Sequence, residues 1–172
     1  EPQNRQSSPY GGGVFRSMDR GRSWTDLGLT ETRHVSRIVV HPRDPAVAYV
    51  AAVGHLFGPN PDRGVSRTTD RGRRCEQVLF IDDNTGAIDM AMDPGDPRTL
   101  FVTMYQRLRT AYGFSAFGGG SGLYRTLDGG DTWDEMREGL PEGDLGRMGL
   151  DIYRKDGNLL YLSVEGESAG VR

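Results

Sequence analysis

Three stretches of this 172-residue chain are near copies of one another. Residues 13–24 run Gly-Val-Phe-Arg-Ser-Met-Asp-Arg-Gly-Arg-Ser-Trp, and residues 64–75 run Gly-Val-Ser-Arg-Thr-Thr-Asp-Arg-Gly-Arg-Arg-Cys. Residues 122–133 run Gly-Leu-Tyr-Arg-Thr-Leu-Asp-Gly-Gly-Asp-Thr-Trp. Each couples a short β-branched or aromatic run to a Ser/Thr-x-Asp-x-Gly turn ending in Ser/Thr-Trp, with the second copy decayed at its end. The aspartates Asp19, Asp70 and Asp128 lie 51 and 58 residues apart. No arrangement with a single core and no internal repetition accounts for such a spacing.

A second phrase alternates with the first. His41-Pro42-Arg43-Asp44-Pro45 precedes Ala48-Tyr49-Val50-Ala51, and Asp93-Pro94-Gly95-Asp96-Pro97 precedes Leu100-Phe101-Val102-Thr103. A worn third copy spans residues 153–158, before Leu160-Tyr161-Leu162. Each unit then divides into four strands. In the first complete unit these are residues 37–41, 48–53, 65–69 and 76–80, and in the next 87–92, 99–105, 123–127 and 133–137. The Pro-x-Asp-Pro segments are tight turns, because proline fixes φ and aspartate bonds its own backbone. Four short antiparallel strands recurring at about 50 residues are the mark of a β-propeller blade. The predicted fold is therefore all-β, a run of four-stranded antiparallel blades.

The expected blades are residues 37–80 and 87–137. Half blades flank them at residues 13–28, the last two strands of a unit, and at residues 148–172, the first two. Gly170-Val171-Arg172 reads as the opening of a fourth phrase. Because propellers close with about four to eight blades, two blades and two halves predict an internal segment of a larger protein whose remaining blades are its partners.

Composition narrows the function classes. Twenty-five glycines suit many tight turns. A net charge of −3 with interspersed signs carries no nucleic-acid footprint. No apolar run approaches a membrane span. No His or Cys spacing forms a metal site, and no cofactor is implied. The lone Cys75 stands where the other copies have Trp, and reads as a small apolar plug.

The repeated aspartates invite a catalytic reading, but a hairpin turn explains them better. There the carboxylate accepts unpaired backbone N–H groups, and glycine two residues later supplies positive φ. On this reading Ser17, Asp19, Gly21 and Trp24, then Thr68, Asp70 and Gly72, then Thr126, Asp128, Gly130 and Trp133 are structural, each Trp packing on its sheet and the adjacent blade.

These phrases resemble the Asp-box, or bacterial neuraminidase repeat, of sialidases, xyloglucanases and the sortilin-type propeller. The chain as a whole is similar to bacterial sortilin-like, glycosyl-hydrolase-like propeller proteins. Further phrases carry that resemblance: Ile38-Val39-Val40-His41-Pro42, Val53-Gly54-His55-Leu56-Phe57-Gly58-Pro59-Asn60, Ile81-Asp82-Asp83-Asn84-Thr85-Gly86-Ala87 and Gly139-Leu140-Pro141-Glu142-Gly143. Cys75 and Arg74 depart from the Asp-box pattern, which implies a looser second turn. The resemblance implies an extracellular or periplasmic location and a polysaccharide, peptide or protein ligand. No sialidase arginine triad maps onto the chain.

Topology locates the candidate site. Successive turns of an antiparallel blade alternate between two faces, so the aspartate turns and Pro-Asp-Pro turns share one. The other carries the irregular segments 54–63, 81–86, 106–121 and 138–146, with 1–12 and 28–36. Long loops on a rigid scaffold are where ligands are met. The segments 54–63 and 106–121 are the same loop in consecutive blades and should form one groove wall. They bring Arg63, Arg107 and Arg109 together with Phe57, Tyr112, Phe114 and Phe117. Aromatics of this kind stack on sugars or peptide side chains, or fold back on the sheet. His55 is a candidate acid, base or ligand, or simply bonds a loop carbonyl.

A glycosidase needs two carboxylates, about 5–5.5 Å apart if retaining and about 6.5–9.5 Å if inverting. Asp82, Asp83, Glu138, Glu142 and Asp144 lie on the correct face, in stretches that also suit ordinary turns. Two functions remain open, a ligand-binding propeller module and a glycoside hydrolase.

Overall fold

The computed structural model describes residues 10–166. Residues 170–172, expected to open a fourth phrase, and most of the 1–12 segment lie outside them.

The architecture is all-β apart from one 3₁₀ turn, Thr30–Thr32. Two four-stranded antiparallel sheets, each a blade, are flanked by two-stranded sheets. The first blade runs β3 (Val35–Val40), β4 (Ala48–Ala52), β5 (Gly64–Thr68) and β6 (Glu76–Leu79), in sequence order across the sheet. The second runs β7 (Thr85–Met92), β8 (Leu100–Gln106), β11 (Gly122–Thr126) and β12 (Asp134–Met136). Before them β1 (Phe15–Arg16) pairs with β2 (Thr25–Asp26), and after them β13 (Leu145–Ile152) pairs with β14 (Leu160–Gly166). Strand ends differ from the sequence reading by at most three residues; Gly64, Gly86, Gly122 and Gly146 account for four of the earlier starts, where they continue ladders that propensity alone would stop.

The segment 106–121, which joins β8 to β11, was expected to be irregular. Instead β9 (Leu108–Arg109) and β10 (Phe114–Ser115) pair as a small hairpin inside that connection.

Apolar residues on alternate strand positions meet between blades. Tyr49, Ala51 and Val65 of the first blade pack with Ala87, Met90, Leu100, Val102 and Met104 of the second, all buried, and Trp133 lies against this cluster. A second cluster joins Ala91, Phe101 and Leu123 to Leu150 and Ile152 of the following half blade. Fully burying one of the Val, Leu, Met or Phe side chains of this core contributes roughly 1.5–3 kcal/mol. The first strands β3, β7 and β13 each carry a register shift, at Val35/Arg37, Ala87/Asp89 and Leu145/Met148. A bulge repeated at one place adds local twist, as strands converging side by side require.

The aspartate turns are built as their chemistry requires. Asp19 Oδ1 accepts the Arg22 and Ser23 N–H groups at 2.9 Å, and Oδ2 accepts the Ser23 hydroxyl at 2.6 Å. Asp128 repeats this with the Thr132 N–H at 3.0 Å and the Thr132 hydroxyl at 2.6 Å. Asp70 keeps the backbone bond to Arg74, 2.9 Å, but Arg74 offers no hydroxyl. These donors hold the Asp19 carboxyl down at about 2 and the Asp128 carboxyl lower still, with the residue-23 and residue-132 hydroxyls contributing most. Glycine at the third turn position has positive φ in all three copies, and so does the residue before it, Arg20, Arg71 or Gly129. The Trp expectation holds for Trp133, whereas Trp24 is exposed and donates only to the Gly21 carbonyl. Burial pushes the Cys75 thiol up, with Asp70 adding to it, as an inert plug requires.

Candidate functional site on the loop face

The two kinds of turn share one face. The Arg71 N–H donates to the Ala46 carbonyl at 3.0 Å and the Gly129 N–H to the Arg98 carbonyl at 2.8 Å, so each aspartate turn leans on the proline turn of its own blade. At the opposite ends of the strands, the β4–β5 and β8–β11 connections meet the segments that join blades. Asn60 donates its N–H to Asp83 (2.8 Å), Arg107 to Asn84 (3.1 Å), and Gly118 to Leu145 (3.4 Å).

The two homologous loops lie side by side. Phe57 and Arg109 form a parallel bridge, and the Arg109 N–H reaches the Leu56 carbonyl at 3.3 Å. Phe57 is exposed beside this bridge. The β9–β10 hairpin closes with Thr110 N–H on the Gly113 carbonyl, 2.9 Å. It carries Tyr112 fully exposed at its tip and Phe114 half out, with the Arg107 guanidinium 5.7 Å above the Phe114 ring. The phenylalanine at 117 behaves differently. Its ring stands 2.8 Å from where a Gly146 side chain would begin, so it packs against the β13 backbone. Phe57, Arg107, Arg109, Tyr112 and Phe114 therefore share one surface, whereas Phe117 turns to β13.

Arg63 corrects the sequence reading. Its side chain is 1% exposed, with Nη1 donating to Val53 (2.8 Å) and Nη2 to His55 (2.8 Å) and Gly58 (3.3 Å). The β4–β5 loop leaves these carbonyls turned inward, and five fixed N–H donors suit them. Burial pulls this guanidinium below its ordinary value, opposed by Asp82 and Asp83. Arg63 is an internal staple, not part of the groove wall. His55 is also occupied, its Nε2 lying 3.0 Å from the Glu31 carbonyl.

The acidic candidates divide. Asp82 Oδ1 accepts the Asn84 N–H at 2.7 Å, which is the turn role. Its other oxygen faces the glycine run, 3.2 Å from where a Gly120 Cβ would stand. Asp144 Oδ1 is 3.9 Å from the corresponding point on Gly119. The glycine run thus lies near Asp82 at Gly120 and near Asp144 at Gly119. Asp83 bonds through its carbonyl, and Asp83 and Glu142 are exposed. Among the described residues no cluster of three or more His, Cys, Asp or Glu could hold a metal ion.

Residues beneath the glycines carry polar chemistry that motif reading passed over. Gln106 Oε1 accepts the Gly120 N–H at 3.0 Å, and the Gln106 N–H goes to Ser121 Oγ at 2.9 Å. Thr85 Oγ1 and Asn60 Oδ1 are buried without a hydrogen-bond partner among the described residues. The signal available in the sequence was three consecutive glycines after an aromatic stretch, which mark close backbone approach.

No family model matches the chain, and no curated protein matches it. Solved structures do. The GH74 xyloglucanase from Xanthomonas campestris superposes with a TM-score of 0.68 at 14% identity, over 92% of this chain and 24% of that one. An ancestral GH74 enzyme gives 0.62 at 17%, over 88% and 19%. The GH74 enzyme from Niastella koreensis gives 0.62 at 15%, over 86% and 21%. The chain spans a quarter or less of the length of these proteins. At such identities the likeness establishes the fold, a segment of a β-propeller.

Proposed function

We propose that this chain is a ligand-binding β-propeller module whose loop face holds a glycan chain. The carrying observation is the β9–β10 hairpin. It projects Tyr112 and Phe114 away from the sheet, and the Phe57–Arg109 bridge fixes a third exposed ring beside them. Exposed aromatic rings on a rigid base stack on the apolar faces of sugars, and guanidinium N–H groups donate to hydroxyls. The propeller likeness to glycoside hydrolases, one of them a xyloglucanase, favours a polysaccharide over a peptide. On this reading the repeated turns are Asp-boxes, the module belongs to a larger secreted or periplasmic protein, and a sortilin-like peptide ligand is the competing occupant of the same face.

One observation favours a second reading, polysaccharide hydrolysis. Asp82 and Asp144 both lie beside the Gly118–Gly120 run, on the face where a glycosidase carboxylate pair would have to sit.

Calorimetric titration with xyloglucan and other β-glucan oligosaccharides, beside a peptide panel, tests both readings. Glycan binding that Tyr112→Ala and Phe114→Ala abolish at unchanged Tm supports the groove. Binding unaffected by either change, or equally reduced by changes on the aspartate-turn face, removes it. Hydrolysis lost in Asp82→Asn and Asp144→Asn with binding retained would establish the second reading.

A further inference from the structure

The three aspartate turns differ in one respect that their folding does not explain. Where the third has Gly129, at φ 82°, the first two have Arg20 and Arg71, at φ 63° and 65°. That left-handed conformation is uncommon for a residue with a side chain and suits glycine. Where the first and third turns have Ser23 and Thr132, whose hydroxyls complete the turn, the second has Arg74. Arg22 and Arg73 take the place of Asp131. Arginine thus stands three times where another residue would serve the turn better. A less favourable backbone kept at the surface points to a use outside the turn.

These side chains form one strip. Arg16, on β1, donates to the Arg71 carbonyl, and Leu27 lies against Gly72, so the first and second turns are neighbours. The Arg71 N–H on the Ala46 carbonyl brings the proline turn that holds Arg43 beside them. Arg20, Arg22, Arg43, Arg71, Arg73 and Arg74 are all exposed. Arg71 is so although the preceding sheet covers its turn, which means that a covered turn still presents its arginine to solvent. None of the six is ion-paired among the described residues, whereas Arg67, Arg98, Arg125 and Arg137 each are. The sign is local and not a matter of composition. Turns 41–46 and 68–74 of the first blade hold four arginines against two aspartates. The same turns of the second, 93–98 and 126–132, hold one arginine against four aspartates, in a chain of net charge −3.

We propose that this arginine strip binds a narrow polyanion, a polysaccharide carrying carboxylate or sulfate groups, on the face opposite the aromatic surface. A guanidinium meets such groups with two parallel N–H donors. The acidic turns of the second blade lie on the same face and decide the shape of the partner. A broad anionic surface, such as a lipid bilayer or a nucleic-acid duplex, would press on both blades and meet Asp128 and Asp131 together with the arginines. A single chain can follow the strip and leave those aspartates in solvent. The inference is independent of what the loop face holds.

The test is calorimetric titration of the whole chain with polygalacturonate and chondroitin sulfate oligosaccharides at low and at physiological salt, beside a DNA duplex and phosphatidylserine vesicles. The acidic oligosaccharides should bind, more weakly as salt rises. The triple variant Arg20→Gly, Arg71→Gly, Arg74→Thr installs the residues of the third turn. It should bind about tenfold more weakly with a Tm equal to or above that of the parent, so that misfolding does not account for the loss. Arg147→Gln, Arg154→Gln, Lys155→Gln together remove as much charge from exposed positions outside the strip, and should leave binding within about twofold, because distant surface charges are screened. No binding of either acidic oligosaccharide at low salt, equal losses in the two triple variants, or binding of the duplex or the vesicles as tight as that of the oligosaccharides would overturn the proposal.

Discussion

The Leu150 N–H donates to Asp89 Oδ2 at 3.1 Å, so a carboxylate on the first strand of one blade holds the first strand of the next. The other oxygen of Asp89 accepts its neighbour Met90 N–H at 2.9 Å, and Arg37 Nε approaches from the preceding blade at 3.8 Å. One side chain thus ties three consecutive blades where their bulged strands converge. Asp89→Ala should destabilise by about 2–4 kcal/mol, because it strands two backbone donors. Asp89→Asn should cost less, since its amide oxygen still accepts one of them. Urea unfolding of both variants decides the matter. Equal, negligible losses would show that the inner strands are held by packing alone.

Arg63→Ala should be as damaging, at about 3 kcal/mol or more, because three inward carbonyls lose a charged donor together. Arg63→Lys should not rescue it, since an ammonium cannot reproduce the fork of a guanidinium. Thermal unfolding of both checks this. A lysine variant as stable as the parent would mean that the charge, not the geometry, is what the loop needs.

The second aspartate turn is improvable. Ser23 and Thr132 give their hydroxyls to the turn carboxylate, and Arg74 cannot. Arg74→Thr should therefore raise Tm and draw the Asp70 carboxyl further below its ordinary range. Carbon-detected NMR titration of Asp70 together with a melting curve tests it, and an unchanged titration midpoint counts against it.

Acid stability follows with a definite sign. The folded Asp19 carboxyl sits at about 2 against an ordinary 3.8, and that of Asp128 is also depressed. Stability from a depressed carboxyl is present above the ordinary value and lost as pH falls through the folded one. The double variant Asp19→Asn, Asp128→Asn should thus melt lower than the parent at neutral pH, with the gap closing between about pH 4 and pH 2. A constant gap across that range would assign the loss to packing rather than ionisation.

Much of this fold was legible because its units repeat. Period and turn chemistry placed the strands of two blades and two flanking pairs, and alternation of turns placed the two faces. What escaped was what depends on tertiary contact. Arg63 looks like any loop arginine until three carbonyls turn inward upon it. The arginine before each aspartate was visible three times, but its partner lies 55 or 62 residues away in another blade. The β9–β10 hairpin has two-residue strands, too short for alternation to show. The aromatic surface was half legible, since the placement of two homologous loops named Phe57, Tyr112, Phe114 and Phe117, but only packing separates Phe117 from the rest.

The glycine run beneath that surface makes a sharp contrast between neighbours. A side chain at Gly120 would collide with the Thr85 hydroxyl and lie 3.2 Å from both Asp82 Oδ2 and Gln106 Oε1. At Gly119 the nearest atom is Asp144 Oδ1 at 3.9 Å, an ordinary contact. Gly120→Ala should cost about 1–3 kcal/mol, as overpacking does. It should also free the hairpin base, because the Gly120 N–H bond to Gln106 anchors it. Gly119→Ala should melt within about 1 °C of the parent, corresponding to a few tenths of a kcal/mol or less. Amide exchange at residues 114–121 should accelerate in the first variant and not in the second. If both variants behave alike, the glycines serve chain flexibility, and the close passage between Asp82 and Thr85 does not shape this loop.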